Sequence, residues 1–225
     1  MVHRYVSAVV ALVAFCSSVA LAANPMPSPA PTLPPKPHGT EIAFVSSIQK
    51  DLDARFGTIA QAQAAGYYRY TNEDDTGAIS YANDQWTSSD PQHPSQLWYS
   101  AKGELLGADF SRPYVAGQRP DLWGVDPSRW IHFGAHVHYV VDAAGKETYG
   151  ATRVSSFTAA GGNVRNPQPQ TVVALGKATD AAQVKHVFLF PNIWDLIVWV
   201  KPNPDGAFAD KNPLVTPSAD AKPMD

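Results

Sequence analysis

His136 and His138 stand two residues apart in the run HFGAHVHYVVD, with His132 and Asp142 at its ends. On a β-strand this spacing sends both imidazoles off one face, about 7 Å apart at the backbone. At that separation they can grip a single metal ion. The alternation carries on in both directions: Ile131, Phe133, Ala135, Val137, Tyr139 and Val141 face one way, and His132, Gly134, His136, His138, Val140 and Asp142 the other. Two further readings of the same face stand beside metal binding. The histidines either line the solvated side of a half-buried strand, or are buried and satisfied by hydrogen bonds.

Other polar residues can complete such a site. Asp109 ends a recognisable hairpin and offers a third metal ligand or an orienting carboxylate, against the alternative of a surface acid near a turn. Asp195 interrupts an apolar run and must be paired there, with Arg153, Lys185 or a backbone amide as the expected partner. Tyr81, Trp98 and Trp86 belong to a dense aromatic stretch whose ring faces can stack on a flat ligand or simply fill a core. With His132, Tyr81 and Trp98 are the candidate ligand-binding residues. Asn203, Asp205, Asp210 and Asn212 lack the spacing of a calcium loop, and the Asn-Pro and Asp-Gly pairs already explain them as turn formers. The mature chain has no G-x-S-x-G elbow, no phosphate-binding glycine loop and no cysteine, which leaves nucleophilic catalysis without a local signature.

These side chains need elements to position them. Glu41 follows Thr40 as a helix cap, and Ile42, Val45, Ile48, Leu52 and Phe56 recur at helical spacing up to Gly57. A second short helix runs over Ile59 to Ala65 behind Thr58 and ends at Gly66. Strands flank Lys102-Gly103 as a hairpin of Gln96 to Ala101 and Glu104 to Ser111. Ala144-Gly145 turns the histidine strand into a partner over Glu147 to Val154, and two helical turns cover Gln170 to Lys177 and Asp180 to Lys185. VFLF and IWDLIVWV are nearly unbroken apolar runs, which predicts central strands covered on both faces.

The ends of the chain carry a different kind of signal. Residues 1–22 combine His3 and Arg4, an apolar run from Val6 to Phe15 and the small-residue site Ala20-Leu21-Ala22, the layout of a secretory signal peptide too short to span a bilayer. Removing them takes away Arg4, Cys16 and no acid, leaving 16 basic side chains against 20 acidic and a net charge of −4. A mildly acidic chain with no basic run gives no electrostatic reason to bind nucleic acid or an anionic membrane. Residues 23–39 alternate proline with small residues and read as an extended linker outside the core. Residues 216–225 read as a polar, frayed tail, so residues 40–215 are expected to form one domain.

The runs AQAAGYYRY, HPSQLWYSAKGELLGADF, WDLIVWV and NPDGAFADKNPLV resemble an uncharacterised family of exported bacterial proteins. That resemblance implies export and a shared architecture but no activity. It also implies that relatives carry histidine where this chain has Ser80 and Ile197, and glutamate where it has Asp109. Separately, HVHYVVD is similar to the H-x-H-x3-E metal-binding element of cupins, with Asp142 in place of the glutamate.

Together these readings predict an α+β domain, with N-terminal helices packed on an antiparallel β-sheet or partial β-barrel. The expected function is that of a periplasmic or extracellular protein binding a small-molecule ligand or a divalent metal ion, without stable membrane insertion of the mature chain. His136, His138, Asp142 and Asp109 are the metal-ligand candidates. The alternatives are a cupin-like metal-dependent enzyme and an envelope scaffold that binds no ligand.

Overall fold

A computed structural model describes residues 33–83 and 90–222. The signal-peptide layout, Cys16, most of the proline linker, Trp86 and the last residues of the tail lie outside the described residues. Helix α1 (Glu41–Phe56) buries Glu41, Phe44, Val45, Ile48, Leu52 and Phe56. Three- and four-residue steps connect these positions, and Ile42, expected in the same stripe, falls off it and is exposed. Thr40 makes no side-chain cap; its hydroxyl instead donates to the carbonyl of Gly124. Helix α2 (Ile59–Ala64) starts with a full capping box between Thr58 and Gln61, and Gly66 takes the positive φ expected after it.

Six strands form an open sheet in the order β1-β2-β3-β4-β9-β5: β1 (Tyr68–Arg69), β2 (Ile79–Ala82), β3 (Gln96–Tyr99), β4 (Leu105–Pro113), β5 (Ile131–Phe133) and β9 (Ile193–Trp199). All neighbours in it are antiparallel. A second, three-stranded sheet has the order β7-β6-β8, built from β6 (His136–Ala143), β7 (Lys146–Arg153) and β8 (Val184–Phe190). The short helices α3 (Val154–Ala159) and α4 (Pro169–Ala174) lie in the chain between β7 and β8.

Both sheets are open, so the partial barrel is not formed. The two-residue β1 and the three-residue β5 are the outer strands of the larger sheet, too short to close it. Of the two apolar runs expected at the centre, β9 lies between β4 and β5, whereas β8 is an outer strand of the smaller sheet.

Strand alternation gives the six-stranded sheet two unlike faces. One carries Ile79, Tyr81, Leu97, Tyr99, Ala108, Phe110, Leu196 and Val198, which share a single apolar cluster with the buried face of α1. The contacts include Phe44 edge-on to Phe110 at 6.0 Å and the Tyr99 hydroxyl donating to the carbonyl of Phe56 at 2.6 Å. The opposite face carries Tyr70, Ser80, Gln96, Trp98, Asp109, Ser111 and Asp195, an unusually polar set for a buried layer. Tyr70 and Ala82 from this side cluster with Val140 of β6, so the smaller sheet lies over the polar face. Its own outer side is closed by Tyr139, Val141 and Val184 with Val172 of α4.

The predicted strand from Ile131 to Asp142 is broken at Gly134-Ala135. Its first part pairs with β9 in one sheet, and its second pairs with β7 and β8 in the other. Gly134 and Ala135 have no bulky side chain to oppose the bend.

Among the described residues no helix is long and apolar enough to cross a membrane.

Candidate functional site

Register across β6 and β8 sets the His136 and His138 side chains. His136 stands opposite Phe190 and His138 opposite Phe188. The imidazoles stack on those rings at 4.7 Å and 5.5 Å between centroids, and Tyr70 of the facing sheet meets the His138 ring edge-on at 4.7 Å. Both histidines are half-buried and walled by aromatic carbon, so the solvated-face reading fails for them. Their Nε2 atoms converge to 2.9 Å.

The hydrogen-bond network assigns the protons. Nδ1 of His136 lies 2.8 Å from the carbonyl oxygen of Gly134 and must donate to it, which leaves a bare lone pair on Nε2. Nε2–H of His138 then donates to that lone pair. The Nδ1 of His138, sealed from solvent beside the Gly150 backbone, has no well-formed hydrogen bond. Burial pushes the His136 imidazole below its usual range. Burial and the neighbouring His136 together push His138 down to about 3. Neutral imidazole is the form that binds metal, and here Nε2 of His136 is free to do so while Nε2 of His138 carries the shared proton.

The other candidate ligands do not join them. Asp142, at the far end of β6, accepts the amide N–H of Gly145 at 2.8 Å and pairs with Lys185 at 3.4 Å. Asp109 is buried rather than at the surface, and lies on the facing sheet. Its Oδ2 accepts Trp98 Nε1–H at 3.1 Å, while Oδ1 is buried without a hydrogen-bond partner. Among the described residues, no three histidine, cysteine, aspartate or glutamate side chains come together in a metal-binding group.

The ligand-binding candidates also scatter. His132 stacks on Tyr114 at 3.9 Å, and its Nε2 lies 2.6 Å from Oδ1 of Asn192. The strand break separates it from the other two histidines. Tyr81 packs in the α1-side cluster, edge-on to Tyr99, and so faces away from them. Trp98 does share the inter-sheet side, where it positions Asp109 and packs edge-on to Trp199 at 5.6 Å.

Tyr70 is the residue whose importance sequence reasoning missed, and Asp195 is paired with a partner other than those expected. Asp195 is paired, but with the Ser111 hydroxyl at 2.8 Å rather than with a cation, and Ser111 in turn meets Ser95 at 2.6 Å. Burial pushes the Asp195 carboxyl up to about 7. Burial first, then the charge of Asp195, pushes Asp109 well above the usual carboxylate range. Tyr70 is buried between the sheets, with its hydroxyl on Oε1 of Gln96. Its position in AGYYRY carries no pattern that separates it from its tyrosine neighbours, so only the stacking of sheets reveals it.

Ser80 and Ile197 lie on the same sheet face as Asp109. Asp109 is opposite Ile197 across β4 and β9, and Ser80 is opposite Trp98 across β2 and β3. Concavities of about 230 Å³ and 420 Å³ occur beside Lys211 and beside Gln49, and neither borders His136 or His138. No family model, no curated protein and no solved structure matches the chain.

Proposed function

We propose that this is an exported protein whose His136–His138 pair binds a divalent transition-metal ion, alone or as the anchor for a small ligand. The observation that carries this reading is the 2.9 Å approach of two neutral imidazole Nε2 atoms inside an aromatic enclosure. Two nitrogens bound to one zinc ion at about 2.0–2.1 Å in tetrahedral geometry stand roughly 3.3 Å apart, so the rings need open by only a few tenths of an ångström. Imidazole pairs suit zinc, copper, nickel and iron better than calcium or magnesium.

Binding displaces the single proton held between the rings. With a metal bound, His138 would carry its proton on Nδ1, facing the Gly150 backbone, while the Gly134 carbonyl would go on accepting the Nδ1 proton of His136. Two protein ligands leave the remaining coordination positions to water or to donor atoms of a bound molecule. In this reading α1 and α2 form a layer packed on the outer face of the six-stranded sheet and stiffen the floor beneath the pair. Export rests on the layout of residues 1–22.

Elemental analysis of untagged mature protein, followed by zinc and copper titration calorimetry, tests the proposal. About one metal ion per chain is expected in the wild type and in His132→Ala, and none in the His136→Ala, His138→Ala double variant. Equal binding by the wild type and the double variant, or no binding by either, would sink it.

A further inference from the structure

Residues 33–39 belong to the proline-rich stretch that composition places outside the fold, yet their backbone is held at three successive carbonyls. Arg129 Nη1 donates to the carbonyl of Pro34 at 2.7 Å, the amide N–H of Phe208 to that of Pro35 at 3.0 Å, and Arg129 Nη2 to that of Lys36 at 3.3 Å. A proline has no N–H, so its carbonyl is the polar handle by which its backbone can be recognised.

The donors are themselves built in. Arg129 is 3% exposed, and its guanidinium forms a two-pronged pair with Glu41, Nε to Oε1 at 3.1 Å and Nη2 to Oε2 at 3.0 Å. Its flat face lies 4.4 Å from the centre of the Phe208 ring. Amide groups of His38 and Asp126 complete the Glu41 carboxylate at 3.1 Å each. Burial alone would push Glu41 up, but these hydrogen bonds and the Arg129 charge outweigh it and hold the carboxyl below its usual value. Glu41 thus orients the guanidinium through contacts separate from those it makes to the Pro34 and Lys36 carbonyls. Gly206 completes the seat: a Cβ there would stand 2.4 Å from the carbonyl carbon and oxygen of Pro35 and 2.6 Å from the nitrogen of Lys36.

We propose that Arg129, Phe208 and Gly206 form a recognition site for a proline-rich peptide, occupied in cis by this chain's own Pro34–Lys36. The site reads backbone carbonyls through a rigid fork and one amide, with glycine allowing the close approach. It gives the NPDGAFA turn a role beyond reversing the chain, and it fixes where the proline stretch leaves the domain.

The test uses the full mature chain and follows hydrogen exchange at the Phe208 amide. The Pro34→Gly, Pro35→Gly variant loosens the segment without touching the seat, and Gly206→Ala blocks the seat without touching the segment or the Arg129–Glu41 pair. In both, exchange at Phe208 should speed up on the order of tenfold, as expected for one lost hydrogen bond. A synthetic peptide of residues 31–39, added in excess, should restore protection in the double-glycine variant and fail to do so in Gly206→Ala. Unchanged exchange at Phe208 in the double-glycine variant, or no restoration by the peptide, overturns the proposal.

Discussion

Asp195 is a buried acid hydrogen-bonded to a hydroxyl, with no ion pair among the described residues, which makes it a proton-dependent part of the fold. Its carboxyl is pushed up from 3.8 to about 7 by burial. The folded state therefore holds this proton more tightly than the unfolded state, and the associated stability is complete below pH 4 and lost as pH rises to about 7. Three pKa units correspond to on the order of 4 kcal/mol. His138 acts in the opposite sense. Unfolded histidine takes a proton near pH 6.5, which the folded side chain refuses until about 3, so stability falls as pH drops through that interval. Asp195→Asn retains an oxygen for Ser111 and removes the titration. From pH 5 to pH 8 the urea midpoint of this variant should rise relative to that of the wild type, because the His138 contribution is kept and the opposing Asp195 one is gone; an identical pH dependence in the two proteins would show that Asp195 does not titrate in this range. The sequence did require Asp195 to be paired, because it interrupts an apolar run. It could not reveal the neutral partner, which follows from the register of β4 on β9, or the burial of Asp109, which follows from a second sheet covering that face.

At the scale of elements, the β3–β4 hairpin shows how closely one glycine ties backbone to side chain. A Cβ at Gly107 would stand 2.5 Å from the Trp98 ring and 2.7 Å from the carbonyl oxygen of Val198. Gly107→Ala must therefore move Trp98 and weaken its hydrogen bond to Asp109. We expect a loss of about 1–3 kcal/mol in chemical denaturation, the usual range for overpacking, with an altered near-ultraviolet circular dichroism signal. An unchanged tryptophan signal would contradict this. The hairpin, α1 and the Thr58 cap were legible because each rests on local chemistry: Gly103 at positive φ, a helical apolar repeat and a reciprocal side-chain cap. The break at Gly134-Ala135 was not. Alternation runs unbroken from Ile131 to Asp142, and nothing in that pattern says that the chain changes sheets midway. The same limit placed VFLF at the centre of a sheet, although β8 is an outer strand.

For the whole molecule, the Glu41–Arg129 pair joins the start of α1, the turn before β5 and the proline segment at one buried point. Glu41→Ala strands a guanidinium that is 1% exposed, and removing one partner of a buried ion pair costs about 3–5 kcal/mol. Differential scanning calorimetry should show a lowered Tm, with Glu41→Gln falling between the wild type and Glu41→Ala; an unshifted transition would mean the pair contributes no stability.

The smaller sheet is continuous in the chain, entering through Gly134-Ala135 and leaving through Pro191-Asn192. Its first and last strand residues, His136 and Phe190, are register partners, just as Phe133 and Ile193 are on the other side of the bend. Topologically it is an excursion with a narrow root: one antiparallel ribbon climbs out of the larger sheet and returns beside itself. The paired imidazoles stand at that root, where a lengthened or shortened excursion would leave them undisturbed.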